Sequence, residues 1–110
     1  MLTALARQQL TLAREASSGR SARTVYGGHE RTLRQTLIAL TAGHRLEEHD
    51  SPGEATVHVL HGRVRLVAGD TSWDGSAGDL IAVPADRHAL EAVEDSAVLL
   101  TVSTRAAVPR

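Results

Sequence analysis

At 110 residues with no cysteine, the chain has room for one domain and excludes disulfides, thiolate metal sites and thiol chemistry. Its 12 basic residues nearly balance 13 acidic ones, and the even spread of a net charge of −1 removes the electrostatic basis for nucleic-acid or anionic-membrane binding. With no Phe, one Trp and one Tyr, the core has to come from Leu, Val, Ile and Ala, and few rings are available to stack on a flat aromatic ligand.

The opening stretch MLTALARQQLTLARE mixes apolar and polar residues and carries Arg7 and Arg14, so it is not the apolar run of a secretory signal. No apolar run reaches membrane-spanning length, and the chain is expected to be soluble and cytoplasmic. Residues 3–18 read as the one helix. Thr3 is its cap, and Leu2, Leu5, Ala6, Leu10, Leu12, Ala13 and Ala16 form a broad apolar face. Ser17-Ser18-Gly19 stops it, with Gly19 suited to a left-handed turn. Residues 1–19 thus form a helical segment for packing on the barrel or on a partner subunit, and 20–110 form one β domain.

From there the pattern has period two. Strands are predicted at 22–26, 33–42, 55–61, 63–68, 80–83, 88–93 and 97–103, separated by turns such as Gly27-Gly28, Ser51-Pro52-Gly53, Gly62 and Gly78-Asp79. Short, evenly spaced strands indicate a sandwich or barrel. Alternation puts Val57, Val59 and His61 on one face of their strand, opposite Thr56, His58 and Leu60; likewise His88, Leu90 and Ala92 share a face. Several strands are apolar on both faces, as in a barrel wall that is also covered outside.

Two stretches carry a family resemblance. Gly43, His49-Asp50-Ser51, Glu54-Ala55 and Gly62 keep the frame of a G-x5-H-x-H-x3–4-E-x6-G motif, and GDLIAVPADRHALEA keeps that of G-x5-P-x-G-x2-H-x3-N through Gly78, Pro84, Asp86 and His88. Residues 43–105 therefore resemble a small single-domain cupin of the RmlC-like kind, which implies an all-β jelly-roll barrel behind the N-terminal helix. The family's metal-carrying members present three histidines and a glutamate, a donor set for one divalent transition metal. His49 and His88 match two of those histidines. Ser51 stands at the second histidine and Ala55 at the glutamate, with Glu54 one residue early; Ala92 stands at the asparagine, and the second motif is one residue short.

Two readings follow. In one, His49 and His88 hold a metal with a third ligand from Glu54, Glu47 or His44. In the other there is no metal, and His49, Ser51, Val57, Val59, His88 and Leu90 line a pocket for a small molecule. The first implies an enzyme of dioxygenase, isomerase or decarboxylase type; the second implies a binding or sensing barrel, and a structural or interaction role is a third possibility. The remaining polar residues read as solvated: His44 and Glu47-Glu48 in a loop, and Arg63 and Arg65 on an outer strand face, although two arginines in that pattern could also clamp an anion. Trp73 is expected over a barrel edge. No nucleophile–base–acid set and no phosphate-binding glycine loop is present. The doubly apolar strands and the amphipathic helix predict a homodimer.

Overall fold

The computed structural model describes residues 1–27, 31–49, 54–84 and 87–103, apart from the side chains of Glu48 and His49. One helix, α1 (Leu2–Glu15), precedes nine strands: β1 (Arg20–Tyr26), β2 (Leu33–Leu40), β3 (Arg45–His49), β4 (Glu54–His61), β5 (Arg63–Ala68), β6 (Thr71–Ser76), β7 (Leu80–Ala82), β8 (His88–Ala92) and β9 (Ser96–Ser103). They form two antiparallel sheets, β1-β2-β9-β4-β7 and β3-β8-β5-β6, packed face to face as a jelly roll. Among the described residues no helix is long and apolar enough to cross a membrane.

The two sheets meet over an aliphatic core. Ile38, Leu40, Val57, Val59 and Val98 come from one sheet, and Val64, Leu66, Leu90 and Ala92 from the other. These are the alternate positions of their strands, so period two alone delivers them inward. Burying each such side chain stabilises the fold by roughly 1.5–3 kcal/mol. Outside the larger sheet, Leu37, Ala39 and Ala97 are also buried, beneath Ala6, Leu10 and Ala13 of α1. The helix therefore supplies the outer cover that the doubly apolar strands require.

The helix differs in detail from its sequence pattern. It ends at Glu15 rather than at residue 18 and begins at Leu2, with Met1 at the cap position and no side-chain cap, so Thr3 lies inside the first turn. Leu12, expected in the apolar face, is 47% exposed, whereas Gln9 is buried. The reason is specific: Ser21 of β1 donates its hydroxyl to Gln9, within 2.7 Å of Oε1 and 2.8 Å of the backbone oxygen. That bond compensates the burial of the amide, and it fixes which side of the helix faces the sheet.

Two strands, β3 and β6, lie where the sequence pattern shows none, and β3 contains the Glu47-Glu48 stretch expected to be a solvated loop. Their register accounts for both. Arg45 of β3 pairs with Glu91, Glu91 with Arg65, and Arg65 with Asp74 of β6, one alternating row of charges across the outer face of four strands. Arg45 Nη1 donates to Glu91 Oε2 at 3.0 Å and Arg65 Nε to Asp74 Oδ1 at 2.8 Å. The row beside it on the inner face is Leu46, Leu90, Leu66 and Trp73. Each outer strand thus contributes little apolar surface, and its charges are outward and paired across strands. Arg65 stands outward, as the solvated reading holds. Its bond to Asp74 holds that carboxyl below the ordinary range.

Two turns close the barrel. Gly62, at φ +81°, joins β4 to β5. A Cβ there would overlap Asp95 O and Ser96 Oγ. The buried Ser96 hydroxyl accepts from Arg63 N–H at 3.0 Å and donates to a carbonyl, Glu94 O at 2.7 Å being the nearer. On the opposite side Gly75 faces Ile81 and Val59 so closely that a Cβ would lie 2.7 Å from Ile81 Cδ1. Next to it, Gly78 N–H donates to Val59 O at 2.8 Å, which joins the edges of the two sheets.

Two stability measurements follow. Gly62→Ala combines a left-handed backbone cost of about 1–2 kcal/mol with overlap on a fixed backbone, so urea unfolding should show a loss above about 2 kcal/mol. Gly43, at φ +85° with nothing within 4 Å of a Cβ, should lose only about 1 kcal/mol on the same change. An equal loss at both sites would remove the close approach at Gly62 as the cause. The second measurement concerns Asp95, whose carboxyl lies below its ordinary value of 3.8, first because Ala42 N–H donates to it at 2.9 Å and then because Arg14 does. A lowered folded-state value means that its contribution is complete above the ordinary value and is lost as pH falls through the lowered one. The Tm advantage of the native chain over Asp95→Asn, present at pH 7, should therefore narrow progressively as pH falls below the ordinary value of 3.8. An advantage that stays constant as the solution is acidified below that value would contradict this assignment.

Candidate functional site

The barrel interior narrows to a small cavity at the end where β8 begins. It is lined chiefly by Leu46, Val57, Val83, His88, Leu90 and Leu100, and its volume is about 30 Å³. They arrive from four strands and the turn after β7, at inward positions: Val57 and Leu100 are register partners on β4 and β9, Leu46 and Leu90 on β3 and β8, and His88 shares β8 with Leu90. Among the described residues His88 is the one polar side chain of the lining, 5% exposed at the first position of β8. Backbone pairing places His49 in register opposite His88, across an irregularity in β3 between Leu46 and His49.

The structure divides the sequence-derived candidates. Val57, His88 and Leu90 meet at the cavity. Val59 is buried in the same core but lies towards Gly75, and it does not line the cavity. Ser51 lies outside the described residues. Glu54 opens β4 on an exposed position of the parity opposite to Val57 and Val59. His44 is held at a turn, with Nδ1 2.9 Å from Thr41 Oγ1 and its ring against Gly19. Its backbone oxygen accepts from Ala92, at the other end of β8, so strand rise alone separates it from His88 by roughly 13 Å. Glu47 is on the outer face, with its carboxylate 3.8 Å from Arg45 Nε and its side chain 80% exposed. His61, on the inward parity but expected at the rim because it adjoins the turn at Gly62, stands exposed beyond a bulge after Val59 and borders a groove under α1.

Sequence reasoning did not find Leu46, Val83 or Leu100. Val83 and Leu100 lie on inward positions that alternation could have revealed; Leu46 sits among charges, where its parity is visible only through its pairing with Leu90.

A first-row transition metal takes at least three protein ligands in a stable site. The described residues contain no group of three His, Cys, Asp or Glu side chains placed to hold one. Around His88 the lining is aliphatic, so the described residues do not fit a metal centre. What the described residues offer is an imidazole in an apolar wall, whose ring nitrogens can donate or accept hydrogen bonds.

No protein-family model and no curated protein matches the sequence. Solved structures do match. A conserved protein of unknown function from Streptococcus pyogenes is 30% identical, with a TM-score of 0.73 over 84% of this chain and 80% of that one. An RmlC-like cupin protein from Desulfovibrio desulfuricans is 25% identical, with a TM-score of 0.68 over 77% of this chain and 82% of its own. A salicylate 1,2-dioxygenase from Pseudoaminobacter salicylatoxidans superposes at a TM-score of 0.73 with 22% identity; it covers 93% of this chain, which spans 33% of the enzyme. Proteins of this architecture thus include enzymes and others of unknown function. The two-sheet jelly roll of this chain is the fold of its structural neighbours, which are cupin superfamily proteins and match it over most of its length.

Proposed function

We propose that the barrel binds a small molecule at its His88 end and uses no resident metal. The observation that supports this reading is a buried imidazole in a cavity whose other described lining residues are aliphatic. Such a wall accommodates a ligand with an apolar body, because a polar group buried against the described aliphatic lining would lack a partner and cost about 1–3 kcal/mol. The cavity of about 30 Å³ holds little more than one water molecule. Binding therefore requires side chains such as Leu46, Val57 and Leu100 to part and to repack around the ligand. A second reading, a metal-dependent enzyme built on His49 and His88, draws support from their cross-strand register. It needs a third ligand that the described residues do not provide.

We also propose a homodimer. β1 has a partner on one side only, and Val25, Tyr26 and Leu33 are exposed there at 37%, 45% and 42%. An open, partly apolar edge strand is a natural surface for a second copy.

Elemental analysis of untagged protein, followed by a thermal-shift screen of small metabolites, tests the first proposal. The expected result is metal far below one equivalent, the same Tm with and without chelator, and a ligand that raises Tm in the native chain but not in His88→Leu. At a hundredfold excess over Kd such a ligand stabilises by about 2.7 kcal/mol, on the order of 10 °C for a domain of this size. Near-stoichiometric metal that is lost in His49→Ala and His88→Ala would overturn it in favour of the enzyme. For the assembly, light scattering should give twice the chain mass, and a monomer at all concentrations would end that proposal.

A further inference from the structure

The helix does not lie flat along β4. A groove of about 360 Å³ opens between them, with Ala6, Leu10 and Leu60 as its floor and Arg7, Arg14 and His61 on its rim. Helix periodicity builds it, since residues seven apart stand on one side two turns from each other. Arg7 and Arg14 are so related, and Ala6 and Leu10 are buried below them. The bulge after Val59 brings His61 to the facing side. The volume falls in the range of small-molecule sites, about 300–1,000 Å³.

The charges of the rim are unevenly satisfied. Arg14 Nε donates to Asp95 Oδ2 at 2.9 Å, and Asp95 Oδ1 accepts from Ala42 N–H at 2.9 Å. The carboxylate beside the groove is therefore engaged at both oxygens. Among the described residues the Arg7 side chain has no ion pair and no hydrogen bond, and Arg14 uses its Nε alone. The arginines of the opposite sheet differ: Arg45 and Arg65 are each paired with a carboxylate. A free guanidinium above an aliphatic floor is complementary to an anion that carries an aliphatic body.

We propose that this groove binds a short-chain aliphatic carboxylate. The carboxylate pairs with the Arg7 guanidinium, with His61 as a further donor, and the chain lies over Ala6, Leu10 and Leu60. An inorganic anion fits less well, because it would leave the apolar floor in contact with water. The groove is outside the barrel, across the sheet from the His88 cavity, so either site can fail without the other.

The test is NMR titration of the isotopically labelled full chain with hexanoate, with hexanol and inorganic phosphate in parallel. Hexanoate should shift the signals of Arg7, Leu10 and Leu60 saturably, and hexanol and phosphate should bind at least about tenfold more weakly. Arg7→Gln should weaken hexanoate by about tenfold, the loss of one charge-assisted contact, with Tm unchanged because the Arg7 side chain supports no other described group. Shifts confined to the barrel interior, unaltered affinity in Arg7→Gln, hexanol binding as tightly as hexanoate, or phosphate doing so (an adventitious ion only) would each overturn the proposal.

Discussion

β2 and β9 are apolar on both faces, and the rest of the molecule is arranged around that constraint. Across their ladder Leu37 opposes Leu99 and Ala39 opposes Ala97 on the outer face, while Ile38 opposes Val98 on the inner one. A sheet of this kind needs two covers. The second sheet is one and α1 is the other. On the outer face the contact is between small residues, Ala39 and Ala97 below Ala6 and Ala13, which lets the helix come close to the strands. The helix is thereby fixed over β2 and β9, and its far side is left spanning β4, where the groove opens. One requirement, cover for two apolar faces, places both the barrel interior and the groove.

The inner face of the smaller sheet carries the chemistry by interruption of a pattern. Its rows run Leu46–Leu90–Leu66–Trp73, and the next inward position of β8 is His88. An imidazole thus follows immediately on a row of apolar side chains. Burial of a polar ring is tolerated where it has a hydrogen-bonding partner, and the end of a strand, near the barrel mouth, is where a partner can be supplied from loop or ligand. A histidine two residues deeper, at Leu90, would face aliphatic neighbours alone. Position along the strand, more than residue type, makes His88 a candidate for recognition.

Much of this was legible in the sequence because it rests on local periodicity. Residues 63–68 form a strand with the bounds that alternation gives, and Gly62 has the positive φ that a tight turn between two apolar runs demands. His88, Val57 and Leu90 were legible as sharers of one interior for the same reason. The failures also have a common cause. β3 and β6 were invisible because each carries its charges outward in a row that is neutralised only across strands, and a partner from another strand cannot be seen in RLEEH or TSWDGS. Gln9 and Leu12 exchanged expected places because of a hydroxyl on β1, twelve residues beyond Gln9. Leu46 entered the lining through pairing with Leu90, again information held by another strand.

A net charge near zero describes the chain as a whole and says nothing about single sites. On the smaller sheet, Arg45 and Arg65 lie in an alternating row, and each exposed pair in such a row contributes only about 0–1 kcal/mol to stability. The effect of the row is chiefly to cancel local charge. On the helix, Arg7 lacks such a partner, and an exposed guanidinium in water needs none, because hydration satisfies it. Leaving it unpaired therefore costs little in stability and preserves its capacity for an incoming anion, which the paired arginines have largely lost. Two regions of similar arginine content thus differ in function through their neighbours. The composition that argues against nucleic acid or an anionic membrane is compatible with a discrete carboxylate site, since recognition there depends on one or two guanidinium groups beside an apolar floor rather than on the field of the whole chain.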